Sequence, residues 1–282
     1  MVINNIINEI LTNNTFPESI TTWNKLSGGT NSSVIVIGSN TNPRLYVVKS
    51  NTPEQIRCEV DFLLTYKSIS KLPTIRYVDR NFDYYIYEYI PGQTSYHVGQ
   101  KQEVLTELIE QMLHFYIKAT DVNQYEWIEN PDTVANDVRY SRSVIGQYLS
   151  EKDHQIVWQI HLQRSVRKSQ QEGYLLHGDY GVHNFIFENR KLTGVIDPIP
   201  KIGPKRFDLL YAFCSSPDHL YLPILLPLIE FLEGDFNQLE VVEDMLLALY
   251  SRISTCLHHH PKDMNQYLLA WSEWTKIYNE LS

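Results

Sequence analysis

Leu175 to Pro198 reads LLHGDYGVHNFIFENRKLTGVIDP, and this stretch decides how the rest of the chain is read. His177-Gly178-Asp179 is followed by Asn184, five residues after the aspartate, and Asp197 comes thirteen residues after that asparagine. Between them, Phe185-Ile186-Phe187 and Leu192 to Ile196 have the composition of two short strands. Glu188-Asn189-Arg190-Lys191 has that of a turn. In an antiparallel hairpin the start of the first strand lies beside the end of the second. The spacing therefore predicts that Asn184 and Asp197 meet at one end of the hairpin, next to the loop carrying Asp179.

Such an end suits phosphoryl transfer. Mg²⁺ on a nucleoside triphosphate takes hard oxygen ligands, one or two from protein and the rest from phosphates and water. A carboxylate (Asp197) and an amide oxygen (Asn184) are such donors. A separate carboxylate, Asp179, is placed to orient an attacking hydroxyl and accept its proton. A lone His-Gly-Asp or Ile-Asp-Pro means little, because aspartate commonly caps turns and ends strands. Four polar residues at matched spacing carry more information.

The run HGDYGVHN followed by IDP resembles the catalytic loop and metal aspartate of the aminoglycoside phosphotransferase and choline kinase family, small-molecule kinases with the protein-kinase-like fold. Gly178 stands where protein kinases usually carry arginine, and Ile196-Asp197-Pro198 stands for Asp-Phe-Gly. No Ala-Pro-Glu segment follows Asp197, which argues against a protein kinase. The resemblance implies an α+β, two-lobed fold, with a small antiparallel-sheet N-lobe and a larger, mainly helical C-lobe. The expected lobes are residues 1–88, a hinge at 89–95, and a catalytic and substrate-binding lobe at 96–282. It also implies ATP or GTP as phosphoryl donor, Mg²⁺ held by Asn184 and Asp197, and Asp179 as the catalytic residue.

Upstream, Ser27-Gly28-Gly29-Thr30-Asn31-Ser32-Ser33 precedes the strand-like Val34 to Ile37. Small residues let backbone N–H groups approach phosphate oxygens. The turn is neither a Walker loop nor a full Gly-x-Gly-x-x-Gly, but its place in the order resembles the family's nucleotide-positioning loop, which assigns Ser27, Gly28, Gly29, Asn31 and Ser32 to the donor. Lys49 closes the strand Arg44 to Lys49 and matches the lysine that contacts nucleotide phosphates. Glu59, on a helix expected from Glu54 to Tyr66, can pair with Lys49. Glu54 is the nearby alternative, and the Leu63-Leu64 run favours Glu59. Tyr87 to Gly92 resembles the interlobe hinge, whose backbone reads the adenine at Glu88 and Ile90.

Downstream, Glu103 to Ala119 and Val138 to Leu149 have helical periodicity. Asp208 matches a second family aspartate that braces the catalytic loop, and Pro204 replaces the acid that precedes it in the family. His183 is a possible substrate contact. Trp271 and Trp274 are expected in the core, and His258-His259-His260 point in different directions on a helix, which argues against a metal site built from them.

Charge bears on the partners. Residues 1–95 carry eight bases and eight acids, whereas 96–282 carry sixteen and twenty-five, so the whole net charge of −9 lies in the second segment. That disfavours nucleic acid and would attract a cationic acceptor. Glu230, Glu233, Asp235, Glu240, Glu243 and Asp244 are candidates for an acidic rim, while Lys201, Lys205 and Arg206 could hold an anionic group instead. An aminoglycoside-type antibiotic heads the acceptors, with choline, an amino alcohol or a sugar as alternatives. A non-catalytic nucleotide-binding pseudokinase is the alternative of another class, although neither the base nor a metal ligand is missing. Three scattered cysteines and the lack of a basic, apolar leader point to a cytoplasmic protein with no membrane partner.

Overall fold

The computed structural model describes residues 6–10, 20–26, 32–39, 42–119, 125–167 and 172–282. Ser27, Gly28, Gly29 and Asn31 of the glycine-rich turn lie outside these residues. The chain forms two compact units, residues 1–95 with 184–199, and residues 96–183 with 200–282.

The first unit is built on a five-stranded antiparallel sheet of β1 (Thr22–Lys25), β2 (Ser33–Ser39), β3 (Asn42–Ser50), β5 (Tyr84–Glu88) and β4 (Ile75–Val78), in the order β1-β2-β3-β5-β4. Side chains alternate across a strand. Ile35, Ile37, Tyr46, Val48, Tyr84 and Ile86 therefore line one face, where they bury against Ile6, Ile7 and Ile10 of the short helical stretch at residues 6–10, α1. The intervening residues Val47, Lys49, Tyr85 and Tyr87 are also buried.

Lys49 and Tyr85 are partners in the β3–β5 register, and both bond to α2 (Pro53–Thr65) through Glu59. Thr52 caps α2 by accepting from Gln55 N, and Pro53 occupies its first turn. Ile56, Glu59, Val60 and Leu63 form its buried stripe, three and four residues apart.

Beyond β5, the main chain of Gln93 exchanges two hydrogen bonds with Phe187, at 2.9 and 2.8 Å. Gly92 permits this approach, because a Cβ there would lie 2.5 Å from the Phe187 carbonyl oxygen. Val195 N donates to Lys71 O at 2.8 Å. These bonds group residues 184–199 with the sheet, whereas sequence order alone runs them with the 96–282 segment.

The second unit is mainly helical: α3 (Lys101–Gln111), α4 (Pro131–Ile145), α5 (Glu151–Arg167), α6 (Arg206–Cys214), α7 (Leu222–Glu233), α8 (Gln238–His259) and α9 (Met264–Leu281). A two-stranded ribbon pairs β6 (Tyr174–Leu176) with β9 (Lys201–Gly203). Trp271 and Trp274 are core residues, as expected.

Two helices depart from their periodicity. The run Glu103 to Ala119 leaves the α-helix after Gln111, passes through a 3-10 turn at Leu113–Phe115, and then pairs its main chain at Ile117 O and Ala119 N with Leu175 N and Gly173 O. The helix expected from Val138 begins at Pro131, since Asn130 caps it by accepting from the N–H groups of Asp132 and Thr133. Among the described residues no helix is long and apolar enough to cross a membrane.

Candidate active site

The site residues fall on both units. In the first, the hairpin forms as expected: β7 (Phe185–Glu188) pairs with β8 (Lys191–Val195), and Phe185 faces Val195. Its turn residues Asn189 and Arg190 both have positive φ, 50° and 66°, as a two-residue turn matched to strand twist requires. At the open end Ile196 N donates to Asn184 O at 3.0 Å, which brings Asn184 beside the residue preceding Asp197. Asp197 adopts a left-handed φ of 58° ahead of Pro198, a conformation aspartate tolerates better than most residues.

This turn brings Asp197 to Lys49. The lysine Nζ lies 2.7 Å from Glu59 Oε2 and 3.1 Å from Asp197 Oδ1. Burial opposes its charge, but the two carboxylates outweigh burial and raise its pKa. Glu59 is raised by burial, against the pull of Lys49 and of Tyr85, whose hydroxyl donates to Oε2 at 2.9 Å. Glu54 sits in the exposed first turn of α2, so Glu59 is the lysine's partner. Of the other residues expected at the donor, Ser32 Oγ accepts from Asn51 Nδ2 at 3.0 Å. Glu88 N donates to Thr74 O at 3.0 Å, and its side chain pairs with Arg76. Ile90 is half-buried.

Asn184 and Asp197 supply one amide and one carboxylate oxygen at a single hairpin end, beside a buried lysine. That donor set fits a divalent ion shared with phosphates.

In the second unit, β6 leads into the loop of His177 to His183. Gly178 has φ 79°, a left-handed value that favours glycine. Asp208, fully buried in the first turn of α6, accepts from His177 N (2.8 Å), Gly178 N (3.0 Å) and Tyr116 OH (2.8 Å). Burial pushes its carboxyl up to about 6, against those three hydrogen bonds. Asp208 thus braces the loop, as the family pattern implies.

Asp179 accepts from Tyr211 OH at 2.7 Å through Oδ1, and its Oδ2 lies 3.3 Å from His183 Nε2. Burial would raise its pKa, but the His183 and Tyr211 hydrogen bonds outweigh it and hold the carboxyl down at about 2. Neither partner was singled out for this part from the sequence. For Tyr211 the available signal was its position three residues after Asp208, on the same helix face.

A cavity of about 340 Å³ lies within the second unit, with Gly178, Phe207, Leu210 and Tyr211 in its wall. Its charged lining has one more base than acid: Arg164, Lys201, Arg206 and Arg252 against Glu129, Asp137 and Asp244. Most of these are already paired. Arg164 bonds Glu129 at 3.2 Å and also Asp244, and Arg206 bonds Asp244 at 3.0 Å and Glu233. Of the proposed acidic rim, Asp244 lines the cavity, Glu233 and Asp244 are engaged by arginine, and Glu243 is buried. The basic trio divides as well. Lys201 pairs with Glu126 at 3.1 Å, Lys205 lies over the Tyr174 ring, and Arg206 takes the acids above, so the three do not form a joint anion site.

The sequence matches the phosphotransferase enzyme family over residues 22–198. No curated protein is significantly similar to the chain in sequence. Among solved structures, a thermostable mutant of the aminoglycoside phosphotransferase APH(4)-Ia, in ternary complex with ADP and hygromycin B, is similar with a TM-score of 0.64 at 14% identity, covering 98% of each chain. The choline kinase LicA from Streptococcus pneumoniae is similar with a TM-score of 0.64 at 14% identity, covering 98% of this chain and 100% of that one. The streptomycin–ATP complex of APH(2")-IIa is similar with a TM-score of 0.63 at 17% identity, over 92% and 90%. The fold is the kinase-like α+β fold of these structures. The chain belongs to the phosphotransferase enzyme family and is a small-molecule phosphotransferase.

Proposed function

We propose that this phosphotransferase moves the γ-phosphate of ATP or GTP to a hydroxyl of a small molecule, with Asp179 as the residue that receives the hydroxyl proton. The observation that carries this is the buried Lys49 held between Glu59 and Asp197, with Asn184 at the same hairpin end. Lys49 and the main chain around Ser27, Gly28, Gly29, Asn31 and Ser32 bind the phosphates. Glu88 and Ile90 offer main-chain groups to the base. Asn184 and Asp197 would hold Mg²⁺, which when bound neutralises phosphate charge.

The acceptor oxygen attacks the γ-phosphorus, the bond from that phosphorus to the bridging oxygen breaks, and the nucleoside diphosphate leaves. The acceptor's proton passes to Asp179. A carboxyl at about 2 is a weak base, so it orients the hydroxyl and takes the proton late, as the new O–P bond forms. Positioning and charge stabilisation supply the acceleration, with no covalent intermediate on the protein.

An aminoglycoside-type compound leads the acceptors, on the strength of the family and of the antibiotic complexes among its structural relatives. A second reading, a choline, amino-alcohol or sugar kinase, is favoured by the cavity's ion-paired acids, which the bases of its lining outnumber, leaving no net negative charge for a polycation. The free thiols Cys58, Cys214 and Cys256 fit a cytoplasmic setting.

The test is Mg²⁺-dependent ADP or GDP release across aminoglycosides, aminocyclitols, choline, amino alcohols, sugars and nucleosides. Acceptor-dependent release that disappears in Asp179→Asn supports the assignment. Near-normal release in that variant removes it, and nucleotide binding without transfer to any acceptor would favour a pseudokinase.

A further inference from the structure

Asp208, Tyr211 and Ser215 follow one another at intervals of three and four residues, so they share one face of α6 and its C-terminal cap. Each holds a different part of the catalytic loop. Asp208 accepts from the N–H groups of His177 and Gly178, Tyr211 donates to the Asp179 carboxylate, and Ser215 Oγ accepts from Val182 N at 3.1 Å. The C-terminal end of α6 is itself tied down. Lys101 Nζ donates to Phe213 O at 2.7 Å and to Ser216 O at 2.9 Å, while Arg252 donates to Ser215 O at 2.8 Å.

The two oxygens of a carboxylate are chemically equivalent until something outside it tells them apart. Tyr211 does so with a short hydrogen bond from a mostly buried hydroxyl to Oδ1. His183 approaches Oδ2 only at 3.3 Å from an exposed position, a contact that an incoming hydroxyl can replace. Gly181 leaves room for both rings, since a Cβ there would lie 2.4 Å from the His183 ring and 3.2 Å from the Tyr211 ring. The tyrosine ring also forms wall of the 340 Å³ cavity.

We propose that Tyr211 is a positioning residue for the reaction: its hydroxyl reserves Oδ1 of Asp179 so that Oδ2 meets the acceptor's hydroxyl, and its ring bounds the space in which the acceptor sits. This rests on Asp179 being the proton acceptor. It has a signature that a purely structural tyrosine lacks, because loss of the hydroxyl removes a hydrogen bond to the ionised form and lets the Asp179 carboxyl titrate at higher pH.

The experiment compares the wild-type chain, Tyr211→Phe, Tyr211→Ala and Asp179→Asn with the best acceptor from the panel. In Tyr211→Phe, kcat should fall about 10- to 100-fold, less than the roughly 10²- to 10⁴-fold that loss of the acid–base group itself would cost, while KM for the nucleotide stays unchanged. The acid limb of kcat/KM should move to higher pH. The ¹³C resonance of the Asp179 carboxyl, followed without acceptor, should titrate higher by the same amount. Tyr211→Ala should in addition raise the acceptor's KM or shift preference toward a bulkier acceptor. Unchanged kcat and an unchanged Asp179 titration in Tyr211→Phe would overturn the proposal while leaving Asp179 in place. Full transfer by Asp179→Asn would instead remove the base assignment, and the role of Tyr211 with it.

Discussion

The Lys49 site and the Asp179 loop solve the same problem, a fixed charge withdrawn wholly or partly from water, by different means. Lys49 is held by opposite charges. Two carboxylates surround one ammonium, and their attraction outweighs burial and favours the charged lysine. Asp179 is held by hydrogen bonds from Tyr211 and His183, and its loop is carried by a second carboxylate, Asp208, that accepts from main-chain N–H groups and a phenol. A charge held by charges tolerates small displacements, since Coulomb attraction falls slowly with distance. A charge held by hydrogen bonds has a direction as well, since those bonds weaken steeply off axis. On the proposed function, the first device suits phosphate binding and the second suits proton transfer.

The largest break in this comparison should come from Asp179→Asn, which keeps the shape and removes the proposed proton acceptor. Transfer should fall by about 10³- to 10⁴-fold, with nucleotide affinity unchanged by thermal shift. Lys49→Met should cost about 10²- to 10³-fold in kcat/KM, as expected for loss of one transition-state charge partner, and should also weaken nucleotide binding, which Asp179→Asn does not. Steady-state kinetics paired with nucleotide titration separates the two effects.

Asp208→Ala should act mainly on stability. It leaves two buried main-chain donors and the Tyr116 hydroxyl without their acceptor, at a cost of about 3 kcal/mol in chemical denaturation at neutral pH. Its pH signature has a definite sign. Because the folded-state pKa is raised to about 6, the protonation-linked part of the Asp208 contribution is fully present below the unfolded value and is lost as pH rises through about 6, while its role as hydrogen-bond acceptor persists at neutral pH. Asp179 has the opposite sign, since its pKa is lowered to about 2: its contribution is present above the unfolded value and is lost as pH falls through about 2. Wild-type stability should therefore decline between about pH 4 and 6 by an amount that vanishes in Asp208→Ala, whereas Asp179→Asn should keep the decline. The smallest effect should come from Tyr85→Phe, which removes one of the donors to Glu59 but leaves the Lys49 pair, so kcat/KM should change by no more than about fivefold.

How far each region could be read from sequence follows the same division. The Lys49–Glu59 pair was legible because the strand ending at Lys49 and the helix after it follow from local patterns, the family resemblance singled out the lysine, and the Leu63-Leu64 run favoured Glu59 over Glu54. The hairpin was legible because its turn and both strands lie within fifteen residues of one another. Tyr211 was not, because its partner is thirty-two residues away and a tyrosine on an apolar helix reads as core. The arginine-paired acids of the cavity were not legible for the same reason. The net charge of the segment is a property of composition, and which acids Arg164 and Arg206 consume depends on how α5, α6 and α8 pack.

The sequence by itself determined the strand and helix periods, the hairpin that carries Asn184 and Asp197, the order of the candidate site residues and, through the family resemblance, the class of small-molecule phosphotransferase. Tertiary structure alone decided which oxygen of Asp179 is held, how Asp208 and Tyr211 divide the loop between them, where the chain leaves helix after Gln111, and which acids remain after the arginines have taken theirs. The physical reason is range. Local preferences are set by neighbours a few residues away, whereas hydrogen-bond direction and charge pairing are settled only when distant segments pack against each other.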